Sequence, residues 1–180
     1  MTDQELEILK YPIGRLRVPE NIEESHLKTW QANLRQYPAK LESLIANLTD
    51  GQLDTPYRPN GWTVRQLLHH IPDSHTNAYI RFKWALTEGK PLIKAYFEDK
   101  WSALPDSLHG DIKPALGLLY AVHARWDLLM KSMSDEDWEK SFIHPETNKE
   151  LTLKFMLGLY NWHSAHHYAH VERLIQREGW

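Results

Sequence analysis

The sequence contains no cysteine. Disulfides, thiolate-bound zinc and a cysteine nucleophile are thereby excluded, and any metal site has to be built from His, Asp or Glu. It also lacks a long apolar run. No stretch approaches the roughly 18 residues needed to cross a bilayer, so no membrane span is expected. No block of like charge stands out either: 21 Lys and Arg against 24 Asp and Glu leave a net charge of −3. Nucleic-acid binding normally shows as a basic patch or stripe, and none is present, so no nucleic-acid partner is expected. The opening Met1-Thr2-Asp3-Gln4-Glu5 has neither the basic nor the apolar region of a signal peptide, which leads us to expect a cytoplasmic protein. Internal repeats and low-complexity segments are missing.

Tryptophan and histidine are plentiful, with 8 Trp and 11 His in 180 residues. The length suggests one domain, residues 1–180, and a hydrophobic content of 42% allows a sizeable core. The tryptophans are most simply core and subunit contacts. The histidines are not so easily placed: Trp162-His163-Ser164-Ala165-His166-His167-Tyr168-Ala169-His170 puts four imidazoles within eight residues of an otherwise apolar helix. Imidazole forms helices poorly and is awkward to bury, and neutral imidazole is the commonest side-chain metal ligand.

Taken in order, residues 1–21 contain Pro12 and Pro19, show no helical period, and read as an extended arm lying on the domain. A bundle follows over residues 22–180. Its first helix begins near Ile22, with Leu27, Trp30, Leu34, Leu41, Leu44, Ile45 and Leu48 spaced along one face. Pro38 predicts a kink or restart near Tyr37. Turn residues fill 49–61. Thr63 and Gln66 then form a capping box for the second helix. Val64, Leu67, Leu68, Ile71, Ala78, Tyr79 and Phe82 make its apolar face, beside a polar stripe of Thr63, Gln66, His70, Ser74, Asn77 and Arg81. Pro72 predicts a bend beside His70. Residues 88–110 read as a long connection, which permits a crossover in place of simple up-down-up-down order. The third helix starts near Asp111, with Pro114 in its first turn. Ser134-Asp135-Glu136-Asp137 caps one short helical turn. Residues 141–152 read as a small hairpin, and the last helix runs from about Thr152 to Gln176. The expected class is mainly α: a four-helix bundle with an N-terminal arm and a hairpin before the last helix.

Helical phase divides the histidine cluster. Met156, Tyr160, His163, His167, Val171 and Leu174 share one arc, so His163 and His167 form an inward i, i+4 pair. His166 and His170 form a second pair, displaced toward the edge. An i, i+4 pair can bind one ion. A zinc-type catalytic site has three protein ligands and an open position, so a third must come from another helix. His70, His75 and His123 are all candidates, and burial slightly favours His75.

Two stretches resemble the DinB/YfiT-like superfamily. Pro59-Asn60-Gly61-Trp62-Thr63-Val64-Arg65-Gln66-Leu67-Leu68-His69-His70 is similar to its second-helix signature, in which a ligand histidine follows the Trp by eight residues. Gly158-Leu159-Tyr160-Asn161-Trp162-His163-Ser164-Ala165-His166-His167 resembles its fourth-helix H-x-x-x-H. Tyr11-Pro12-Ile13-Gly14, Asn77 to Lys83 and His123-Ala124-Arg125-Trp126 also look YfiT-like, so the resemblance spans essentially the whole chain. Pro72 is the one departure. The resemblance implies a DinB/YfiT-like four-helix bundle, usually a homodimer, holding one divalent ion per subunit, nickel or zinc, on His70, His163 and His167. It implies a metal-dependent hydrolase that activates a bound water for a small-molecule substrate. A related alternative is an S-transferase joining a low-molecular-weight thiol, such as bacillithiol, to an electrophile. A non-enzymatic helical module with a structural metal is the further alternative. Arg81 and Asn77, on the stripe of His70, are candidates to orient a substrate.

Overall fold

A computed structural model describes residues 2–180. Four long helices dominate it: α2 (Glu24–Ile45), α4 (Val64–Thr87), α7 (Ile112–Lys131) and α9 (Leu153–Glu178). Short helices decorate them: α1 (Asp3–Lys10), α3 (Asp50–Leu53), α5 (Glu98–Ser102), α6 (Pro105–His109) and α8 (Asp135–Glu139). One antiparallel hairpin, β1 (Ser141–His144) with β2 (Lys149–Thr152), precedes α9, with Phe142 opposite Leu151.

Local chemistry explains most of the boundaries. The Thr63 hydroxyl accepts from Gln66 N–H while the Gln66 side chain accepts from Thr63 N–H, the capping box expected for α4. Ser134 and Asp137 do the same for α8. Thr152 caps α9, and Gly179, with φ at +70°, ends it in the left-handed conformation that glycine adopts freely. Asp111 caps α7.

The arm differs from its sequence reading. Its first part is helical, because Thr2 and Glu5 form a reciprocal capping box over an eight-residue segment too short for its period to be recognised. Both α2 and α4 run unbroken through Pro38 and Pro72, so neither residue restarts its helix. The stretch 49–61 holds α3, and 88–110 holds α5, α6 and a parallel bridge from Leu92 to Ile143.

The helix order is not up-down-up-down. The main packing partners of α2 are α7 and α9, and those of α4 are also α7 and α9. Successive long helices α2 and α4 therefore sit across a diagonal, as do α7 and α9. The long connection 88–110 joins helices that are neighbours; the diagonal steps are made by the segments around α3 and around α8 with the hairpin. Arg65 anchors the first of these. Its guanidinium is buried and donates to Asp54 at 2.6 Å, to Asp50 at 2.9 Å and to the Gly110 carbonyl at 3.0 Å.

Two apolar clusters form the core. One gathers Phe82, Trp126, Phe142, Met156 and Leu157; the other gathers Tyr37, Leu41, Leu68, Ile71, Leu119 and Leu174. A layer of imidazoles lies where they meet. His75 stacks on Tyr37 of the second cluster and meets Trp126 and Tyr160 of the first edge-on.

Candidate metal centre

His70 comes from α4, and His163 and His167 from α9. One ring nitrogen from each lies within 4.8 Å of the others. The His163 and His167 Nε2 atoms face each other at 3.1 Å, and the His70 ring centroid lies 5.5 and 5.1 Å from theirs. The wall of Trp62 holds His70, with ring centroids 4.7 Å apart. That wall exists because Trp62 directly precedes the Thr63 cap. As a residue His163 is half-buried, whereas His70 and His167 are buried. Of the three histidines, His163 alone lines both of two cavities, of about 480 and 510 Å³.

The protonation of these rings follows from burial. Desolvation penalises the imidazolium, pushing His70 down to about 4 and His163 and His167 well below the ordinary value of 6.5. All three are therefore neutral near neutral pH, the state in which imidazole has a lone pair to give. The set contains no carboxylate.

Behind His163 a chain of hydrogen bonds fixes which nitrogen that lone pair occupies. His123 Nδ1 lies 2.6 Å from the Leu34 carbonyl, which can only accept, so Nδ1 carries the proton. Burial pushes His123 down to about 4, so the ring is neutral and its Nε2 accepts. That nitrogen is 2.7 Å from His75 Nδ1, which must then donate. His75, also held neutral by burial, has its own Nε2 left as acceptor, 3.2 Å from His163 Nδ1. His163 therefore donates through Nδ1 and has its lone pair on Nε2, 3.1 Å from His167 Nε2. A backbone carbonyl on α2 thus sets the tautomer of a side chain on α9 through α7 and α4. Among metal-binding histidines, such a fixed outer nitrogen is the usual partner of a ligating inner one. His75, the ring that burial alone favoured as third member, has both nitrogens engaged in this chain and is not in the cluster. His123 is likewise occupied.

His166 and His170 depart from their sequence reading, which placed them toward the edge of the arc. Both are buried. The arm covers them: His170 Nε2 donates to the Lys10 carbonyl at 3.3 Å, and Tyr11 packs against His166. Trp162 stacks on His166 at 4.4 Å and Tyr57 on His170 at 4.3 Å. Together with His167 they form a second group whose ring nitrogens lie within 4.8 Å of one another. The Nδ1 atoms of His166, His167 and His170 are buried without a hydrogen-bond partner. Helical phase does not register a covering segment from 160 residues earlier in the chain.

The polar stripe of α4 turns inward. His70, Ser74 and Arg81 are buried, and Ser74 and Arg81 line the 480 Å³ cavity with His163. Asn77 does not line it; its amide donates to the Asp73 carbonyl. Glu98 and Asp99 line both cavities. They belong to the 88–110 connection, where nothing in the sequence marked them.

The model of the DinB superfamily matches residues 33–171, and the chain belongs to that superfamily. Within it, the chain is 47% identical over 172 residues to YfiT of Bacillus subtilis (strain 168), named "Putative metal-dependent hydrolase YfiT", covering 96% of this chain and 97% of the relative. A Bacillus cereus (strain B4264) relative of similar name is 49% identical over 173 residues, 96% of this chain and 98% of its own. The solved structure of B. subtilis YfiT, described as "a probable metal-dependent hydrolase with an unusual four-helix bundle topology", superposes with a TM-score of 0.94 over 96% of this chain and 99% of that one.

Proposed function

We propose that the chain is a metal-dependent hydrolase of small molecules, with one divalent ion, nickel or zinc, held by His70, His163 and His167. The observation that carries this reading is the convergence of these neutral imidazoles at a point where His163 is forced to present an unprotonated Nε2. An ion bound there supplies Lewis acidity, lowering the pKa of water and polarising a carbonyl; three neutral ligands leave it its full charge. The chain's own residues do the rest. His75 and His123 orient His163. The cavities bring a substrate to the exposed side of His163.

The experiment has two parts. Metal content of His70→Ala, His163→Ala and His167→Ala is expected to fall from one equivalent to near zero; full occupancy in all three would defeat the assignment. Metal-loaded protein is then screened against esters and amides, with and without a low-molecular-weight thiol. Hydrolysis without thiol is the expected result. Turnover only when thiol and an electrophile are both supplied would reassign the chain to S-transfer, since a thiolate suits the same ion.

A further inference from the structure

Arg81 is 7% exposed, and its charge is uncompensated. Among the described residues no carboxylate lies within ion-pairing distance of it. Its guanidinium makes one hydrogen bond, at the long limit of 3.5 Å, to the Lys94 carbonyl, and its Nε is buried with no partner. Arginine stays charged at any accessible pH. A buried cation without an anion is strongly unfavourable, and an anion bound beside it would offset that cost. Contrast Arg65 on the same helix, equally buried, with two carboxylates and a carbonyl on its fork.

Arg81 sits in a cavity next to the histidine site. It lines the 480 Å³ cavity that His163 also lines, together with Ser74 and Tyr160. Arg81, Ser74 and Tyr160 are the buried part of the lining and His163 is half-buried, whereas Phe97, Glu98, Asp99, Lys100 and Glu146 are all exposed. The floor is therefore cationic and the rim mostly acidic. Two further polar atoms of the lining, His144 Nδ1 and the Tyr96 hydroxyl, are also buried without a partner.

We propose that this cavity is the substrate's anchoring subsite and that it takes a carboxylate, paired with the Arg81 guanidinium, on a molecule whose other end reaches the His163 side of the ion site. A planar carboxylate matches the two-pronged guanidinium fork. One arginine neutralises one negative charge, and the acidic rim of Glu98, Asp99 and Glu146 opposes entry of a second. A monocarboxylate is thus selected over a dianionic phosphate. The proposal rests on the hydrolase reading for the orientation of the substrate, but the subsite itself exists without the ion.

The test uses full-length, chelator-treated protein, with acetate and inorganic phosphate as probes. In ¹H–¹⁵N spectra the Arg81 Nε–H signal is assigned by its disappearance in Arg81→Lys. Acetate is expected to shift that signal saturably, and phosphate to shift it at higher concentration. Arg81→Gln, which removes the charge, should weaken acetate binding by about tenfold or more, the usual effect of losing a charge-assisted pair. Arg81→Lys should retain part of it. An Arg81 signal unmoved at saturating acetate, or equal acetate affinity in wild type and Arg81→Gln, would overturn the subsite. Tighter phosphate than acetate would overturn the carboxylate assignment. Because the measurement is made on metal-free protein, it fails independently of the metal content of the histidine variants. Once a substrate ester or amide is known, Arg81→Gln should raise KM for a carboxylate-bearing substrate and leave KM for its uncharged analogue unchanged.

Discussion

His163 has its outer nitrogen tied to His75, and His75 is tied to His123. The chain fixes both ring orientation and tautomer, so damage to it should be felt at the metal although neither His75 nor His123 is proposed as a ligand. Replacing His123 with Leu leaves His75 Nδ1 without its acceptor, frees the His75 tautomer and with it that of His163. Metal affinity is expected to fall about 10- to 100-fold, the usual effect of losing an outer partner of a ligand. His123→Gln, which can still accept from His75, should recover most of the loss. Competition against a chromophoric chelator measures both, and equal affinities for wild type and His123→Leu would remove the chain from the mechanism. The overlapping group of His166, His167 and His170 is separated from the proposed one by residues it does not share. His170→Ala is expected to keep one equivalent of metal, whereas His70→Ala loses it. The opposite pattern would move the ion to the second group.

The helices carry their own evidence of how they meet. A Cβ on Gly158 of α9 would come within 2.9 Å of the Trp30 ring of α2 and 3.2 Å of Val18 in the arm. The ring is rigid, so either it or the helix has to move. Gly158→Ala is therefore expected to destabilise by about 1–2 kcal/mol despite alanine's better helix propensity. Gly117 of α7 gives the converse. It is exposed, and a Cβ there meets nothing within 4 Å. Gly117→Ala should stabilise by about 0.5–1 kcal/mol. Urea titration of both variants compares the two signs directly.

Acid acts on the molecule as a whole. Its buried imidazoles are neutral when folded and free to protonate when unfolded. With folded values of about 4 for His70 and His123 against 6.5, the unfolded chain binds more protons between those pH values. Stability is then fully present above about pH 6.5 and is lost as pH falls toward 4. Each of these two groups contributes roughly 3 kcal/mol across that window, a large share of the roughly 5–15 kcal/mol that holds a typical domain folded. Metal-free protein is therefore expected to lose its melting transition between pH 6 and about pH 4. A melting temperature flat across that range would show that the histidines are not buried neutral. At pH 7 a chelator should lower the melting temperature, because an ion bound to the native state adds stability.

Much of this was legible along the chain, for reasons that are local. Capping boxes at Thr63 and Ser134, the glycine stop at Gly179 and the apolar spacing of the long helices depend on residues three or four apart. So does the inward phase of His163 and His167. The order of helices around the bundle, the burial of His166 and His170 beneath the arm, the imidazole chain back to Leu34 and the lone charge of Arg81 in a cavity rimmed by Glu98 and Asp99 rest on contacts between distant segments. Periodicity states which way a side chain points along its own helix. Only the packed molecule decides what stands opposite, and for a histidine or an arginine that neighbour determines whether the group is a structural acceptor, a ligand or an unpaired charge awaiting a substrate.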